Sequence, residues 1–177
     1  MVSNLKKTVA VAAILVVALA GAMTMNWLAP AEQGENSPIE AIVSLPPPSH
    51  TGELSVEEAI FRRRSIRRFT EEPMTLPEVS QLLWSAGGKT IDGVTGATRA
   101  FPSAGGLYPF EIYLVAGNVT DLPDGVYRFD WREHSLELIR EGDFREELMV
   151  ASLRQRFVHQ APVNIVWVGD LAKIQRR

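Results

Sequence analysis

The strongest chemical signal in the chain is the run Arg62-Arg63-Arg64-Ser65-Ile66-Arg67-Arg68, followed by Phe69. A guanidinium is a planar fork of donors that matches the oxygens of a phosphate, and the Ser65 hydroxyl adds a further donor beside it. The same run also reads as a solvated basic face, or as a contact for nucleic acid. The last reading is weakened by the lack of interleaved aromatic residues and by a formal charge of −3 over the whole chain.

A second segment, Arg99-Ala100-Phe101-Pro102-Ser103-Ala104-Gly105-Gly106-Leu107-Tyr108-Pro109, stands immediately before an apolar run. Small residues bounded by two prolines let the backbone approach a flat ligand closely, with the amides of residues 103–106 free to donate. An ordinary turn has the same composition. Thiol chemistry is absent, because the chain has no Cys. His50, His134 and His159 are too scattered in sequence to read as a metal-ligand set. With 46% apolar and 22% charged residues among 177, the chain is neither a disordered tail nor a collagen-like fibre.

The elements that must position these groups are legible from caps and periodicity. Ser55-Val56-Glu57-Glu58 has the pattern of a capping box and opens a short helix to about Arg63, so the arginines lie where a helix gives way to extended chain. Thr75-Leu76-Pro77-Glu78 repeats that signature. Val79, Leu82, Leu83 and Ala86 then share one helical face before Gly87-Gly88 ends the helix. Residues 111–115 and 126–129 are rich in β-branched and aromatic side chains, and residues 135–139 alternate, which predicts strands with a hairpin turning at residues 131–134. Asp143 and Glu146 predict a third helix running to about Phe157, and Pro162 leads into a buried strand over residues 163–168. Helices and strands interleave without strict alternation, which predicts an α+β layered domain.

Lys6 and Lys7 precede an uncharged run over residues 8–31. This is the pattern of a signal peptide, with Ala18-Leu19-Ala20 as a cleavage site, or of an uncleaved apolar anchor helix, for which roughly 20 residues suffice. Either reading makes the chain exported or membrane-anchored, with its remainder outside the cytoplasm. Residues 32–51 read as a Pro-rich linker and residues 52–177 as the folded unit.

Taken in order, Arg63-Arg64-Ser65-Ile66-Arg67-Arg68-Phe69, then Leu76-Pro77 opening a helix that ends Leu83-Trp84-Ser85-Ala86-Gly87-Gly88, then Pro102-Ser103-Ala104-Gly105-Gly106-Leu107-Tyr108-Pro109, the chain resembles the FMN-dependent nitroreductase family. Gly105-Gly106-Leu107-Tyr108-Pro109 together with Gly125-Val126-Tyr127-Arg128-Phe129 is similar to its SagB-type dehydrogenase branch. The resemblance covers about residues 55–169 and implies a layered α-β-α domain, FMN as cofactor and a homodimer. It implies that Arg63, Arg64 and Ser65 meet the phosphate or ribityl side, with Arg67 toward the ribityl chain or the flavin pyrimidine edge. It further implies that Pro102, Ser103, Ala104 and Gly105 line the isoalloxazine ring across the dimer interface. Tyr108 would border the substrate pocket or pack in the core.

The activity implied is hydride transfer through flavin N5, to or from a small organic molecule or an azoline-bearing modified peptide; no residue is assigned a catalytic role. Members of the family continue beyond a strand like that over residues 163–168 with a long helix, another strand and further basic residues. Because the sequence stops at Arg176-Arg177, the resemblance implies a domain whose C-terminal part is missing. Two other readings stay open: a catalytically inactive tethered remnant or binding module, and an arginine cluster that binds anionic lipid.

Overall fold

The computed structural model describes residues 13–14, 41–93, 96–170 and 172–173. In chain order the elements are β1 (Ala13–Ile14), β2 (Ile42–Ser44), α1 (Val56–Arg62), α2 (Leu76–Gly87), β3 (Lys89–Gly93), β4 (Gly96–Arg99), a 3-10 turn (Ala104–Gly106), β5 (Phe110–Ala116), β6 (Gly125–Asp130), β7 (Ser135–Glu141), α3 (Arg145–Ala151), α4 (Arg156–Gln160) and β8 (Val163–Gly169). β3 and β4 form a separate hairpin, and the rest make one sheet in the order β1-β8-β5-β6-β7-β2.

Period-two alternation sets the faces of this sheet. Ile112, Leu114 and Ala116 of β5 stand opposite Trp167, Ile165 and Val163 of antiparallel β8. Tyr127 and Phe129 of β6 pair with Leu138 and Leu136 of β7, and Val43 of β2 meets Leu136. All these side chains point to one face, where Val79 and Leu83 of α2 close the core. Each fully buried side chain of this size contributes about 1.5–3 kcal/mol. On the other face α4 reaches the sheet end through the Val158 carbonyl, which accepts from the Asn164 amide at 3.0 Å. The α+β class holds, with α2 as the helix layer over the core.

α1 and α2 begin where their caps predict. The Ser55 hydroxyl accepts from the Glu58 amide at 3.1 Å, and the Glu78 carboxylate accepts from both the amide and the hydroxyl of Thr75 at 2.8 Å. The third helix is not continuous. Leu153 and Arg154 adopt φ of 58° and 57°, which a right-handed helix does not admit, so α3 stops at Ala151 and α4 restarts at Arg156. Phe144 holds the N-cap position, and Asp143, one residue earlier, accepts from the amide of Arg145, the first residue of α3, and from its guanidinium.

The folded unit also reaches further back than residue 52. β2 extends the sheet, Leu45 is buried, and the amide of Ser49 donates to the Gln81 side chain at 2.7 Å. A stretch that looks like linker by composition is ordered because β7 offers it an open edge. Of the predicted apolar N-terminal helix, only Ala13 and Ile14 fall among the described residues, and they pair in parallel with Ile165 and Val166 as extended chain. The remainder of that segment, residues 32–40 of the linker, and Arg176 and Arg177 lie outside the described residues. No helix among the described residues is long and apolar enough to cross a membrane.

Candidate functional site

The segment over residues 99–109 is organised around one guanidinium. Arg99 ends β4 and is only 6% exposed. Its Nε donates to the carbonyl of Gly87 at 2.7 Å, and Nη1 donates to the carbonyl of Phe110 at 3.3 Å. Three rings surround it, with Cζ 4.7 Å from the centroid of Phe101, 5.1 Å from Trp131 and 5.7 Å from Tyr108. Such contacts are attractive because the ring faces are negative. Burial lowers the guanidinium pKa, while Glu111 acts in the opposite sense. Glu111 itself is bonded to Lys173 at 2.6 Å.

The close approach to Gly87 depends on its missing side chain. A Cβ there would lie 2.6 Å from Phe101 Cε1 and from Ile112 Cδ1, and 2.8 Å from Arg99 Nη2. The Gly87-Gly88 stop of α2 therefore also makes room for the site.

Within the loop, Gly105 and Gly106 take φ of 64° and 68°, the left-handed region where glycine carries no steric penalty. A Cβ at Gly106 would meet nothing within 4 Å, so the turn faces open space. Tyr108 also has a positive φ, 42°, and its amide donates to Ser103 Oγ at 2.8 Å. The Gly106 amide donates to the Ser103 carbonyl at 3.2 Å. Of the amides predicted to be free over residues 103–106, that of Gly106 is thus engaged within the turn. Those of Ser103 and Gly105 have no acceptor among the described residues. Pro102 and Gly105 are exposed.

The arginines lie elsewhere in the chain. Arg63, Arg64, Ser65 and Arg67 are all exposed, beyond the end of α1. Arg62 is held by an ion pair to Glu58. Arg67 stacks over the ring of Phe157 on α4, 5.4 Å from its centroid. The following chain is pinned by the Asn118 side chain, which donates to the Glu71 carbonyl at 3.2 Å, and by the Met74 amide, which donates to the Asn118 carbonyl at 3.1 Å. Asn118 follows the C-terminal end of β5, whereas Pro102, Ser103, Ala104 and Gly105 precede its N-terminal end. Six residue steps of a strand separate those ends by about 20 Å. Among the described residues no hydrogen bond, ion pair or cation–ring contact joins Arg63, Arg64, Ser65 or Arg67 to Pro102, Ser103 or Gly105.

The residue types present suit the two ends of an FMN. Exposed guanidiniums and a hydroxyl match a phosphate, and an open glycine turn beside an aromatic wall matches a flat ring. Among the described residues no group of three His, Cys, Asp or Glu side chains could hold a metal. What the sequence did not disclose is Arg99 as the hub: Phe101 and Tyr108 stand in the same segment, but its hydrogen-bond partners are backbone carbonyls and Trp131 is distant in sequence.

A mixed α/β domain with these motifs defines a class, and comparison with known proteins narrows it. The model of the nitroreductase family matches residues 60–177. The chain belongs to the nitroreductase family. It is 32% identical over 124 residues to a protein of Methanocaldococcus jannaschii provisionally named a nitroreductase, covering 70% of this chain and 61% of that relative. It is 29% identical over 134 residues to the trifolitoxin operon protein TfxC of Rhizobium leguminosarum bv. trifolii, covering 68% of this chain and 37% of that one. Among solved structures, a provisionally named nitroreductase of Ralstonia eutropha JMP134 superposes with a TM-score of 0.62 at 32% identity, over 77% of this chain and 59% of that one. The chain spans less than two thirds of the length of each of these relatives.

Proposed function

We propose that this protein is an FMN-dependent oxidoreductase of the SagB-type dehydrogenase branch, acting as a homodimer on a small organic molecule or an azoline-bearing modified peptide. Membership of the nitroreductase family carries the reading. The SagB-type branch rests on the sequence motifs over residues 105–109 and 125–129. When bound, the flavin supplies hydride transfer, and the protein supplies binding and orientation. Arg63, Arg64 and Ser65 bind the phosphate or ribityl side, Arg67 leaves Phe157 to reach the ribityl chain or pyrimidine edge, and Pro102, Ser103, Ala104 and Gly105 line the ring. One protomer provides the arginines and its partner the glycine turn, in keeping with the anchoring of Glu71 and Met74, where the arginine segment leads, at the far end of β5 from that turn. The uncharged run over residues 8–31 acts as a signal peptide or anchor and puts the domain outside the cytoplasm.

The test is absorbance after the full chain is incubated with excess FMN and desalted. Wild-type protein retains the visible bands of oxidised flavin, and the double substitution Arg63→Ala with Ser65→Ala loses them. Colourless wild-type protein at saturating FMN overturns the reading and leaves a tethered binding module.

A further inference from the structure

We propose that Arg99 is the positioning residue of the loop over residues 101–108, fixing the aromatic wall and glycine turn against which a flat ring would lie. The inference rests on the flavin reading only for the identity of that ring.

The first argument is the energetic oddity of the group. A buried guanidinium loses hydration that only hydrogen bonds and well-placed charge offset, and an apolar residue of similar volume often serves stability as well or better. Among the described residues no carboxylate comes within ion-pair distance of Arg99. The two carbonyls at 2.7 and 3.3 Å and the three rings within 5.7 Å are what compensate it. Filling space does not require a cation here.

The second argument is what the fork joins. Gly87 closes α2, Phe110 opens β5, Phe101 and Tyr108 flank the glycine turn, and Trp131 comes from the turn between β6 and β7. One side chain thereby ties four chain segments, and the two rings nearest the turn rest on it. Phe101 and Tyr108 also meet edge-on at 5.9 Å, and Tyr108 lies 6.4 Å from Trp131. Lys lacks the planar fork needed to serve two carbonyls while stacking on rings. Met fills similar volume with no donors. The absent Cβ of Gly87 fits the same role, since it admits Arg99 Nη2 and Phe101 to the end of the helix.

The experiment compares Arg99→Lys, Arg99→Met and, because Arg99 variants could fail to fold, Trp131→Leu with wild type in the full chain. Amide hydrogen exchange of Gly106 and Tyr108, the loop amides that have acceptors, is followed against that of β5 and β6, in parallel with FMN affinity and the visible circular dichroism of bound flavin. All three variants are expected to keep sheet protection, to exchange loop amides at least ~10-fold faster, and to bind FMN at least ~10-fold more weakly with an altered flavin signal. Loop exchange equal to wild type in the folded variants overturns the proposal. So does faster exchange spread evenly over loop and sheet, since that is the pattern of a residue serving global stability alone. If the loop loosens selectively while wild type itself binds no FMN, the hold of Arg99 on the loop is upheld and the flavin reading fails.

Discussion

Ser80 Oγ, in the middle of α2, lies 2.7 Å from Nε2 of His134 at the turn between β6 and β7, and both atoms meet the carbonyl oxygen of Pro46. The hydroxyl donates to that carbonyl at 2.5 Å. The ring nitrogen, 3.1 Å from the same oxygen, must then carry its proton, since a bare Nε2 would set a lone pair against a carbonyl. The pair has the residue types of a nucleophile and its base. Ser80 is fully buried, however, and its proton is committed to backbone, so the cluster clamps the chain after β2 onto the sheet.

This clamp makes stability depend on pH near neutrality. Burial lowers the His134 pKa, so below its ordinary value of about 6.5 the unfolded chain takes up the proton more readily than the folded one. Stability is full above about pH 6.5 and falls as the pH drops toward the folded value. Asp143 is also depressed, by the Arg145 hydrogen bond, but its contribution is lost only below about pH 4. Urea midpoints at pH 7.5 and 5.5 should therefore differ, and His134→Gln should flatten the difference. An unchanged slope in that variant would show that another group titrates.

Gly87→Ala should destabilise the fold by about 1–3 kcal/mol, the range for inserting a methyl into a packed interior. Alanine gains up to ~1 kcal/mol of helix propensity at the same position, so the sign reports whether Arg99, Phe101 and Ile112 can give way. Gly52→Ala, where a Cβ meets nothing within 4 Å, is the matched control and should be near neutral. Equilibrium urea unfolding reads both.

Removing the α2 cap isolates a local effect far from the loop. Glu78→Ala takes away the acceptor for two groups of Thr75 and should cost about 0.5–2 kcal/mol. The thermal midpoint should drop while the loop over residues 101–108 keeps its exchange rates. Loss of both together would mean that α2 positions the loop along its whole length, beyond the contacts at Gly87.

Signals confined to a few neighbouring residues were the readable ones. Ser55 and Thr75 open helices as their side chains require, and Leu136 and Leu138 alternate into the core of β7 as predicted. The break at Leu153 and Arg154 was hidden because neither residue type favours positive φ; the amides of Ser152 and Arg154 bonding to Leu148 and Met149 carbonyls close that turn. β2 was hidden because its partner lies some 95 residues downstream and its own composition is that of a tether. At the candidate site, the glycine turn and the exposed arginines were visible as motifs. The Arg99 hub was not, because backbone carbonyls are the same for every residue type and leave no trace in sequence.

If one protomer supplies Arg63, Arg64, Ser65 and Arg67 and its partner the glycine turn, as proposed above, assembly is the condition for FMN binding. α1 buries none of its residues, and Val56, Ile60 and Phe61 are 71%, 70% and 90% exposed, directly beside those arginines. An apolar helix face left open on one chain is the natural seat for a second copy, which would bring its glycine turn toward the arginines. Ile60→Asp with Phe61→Asp should therefore yield a folded monomer that retains no FMN. Because the two side chains touch little in the single chain, stability of the monomer should change by no more than about 0.5 kcal/mol each. Sedimentation velocity reads the assembly and desalted absorbance reads the flavin. A variant that stays dimeric places the interface elsewhere, and a monomer that holds FMN at wild-type affinity would mean that one chain completes the site unaided.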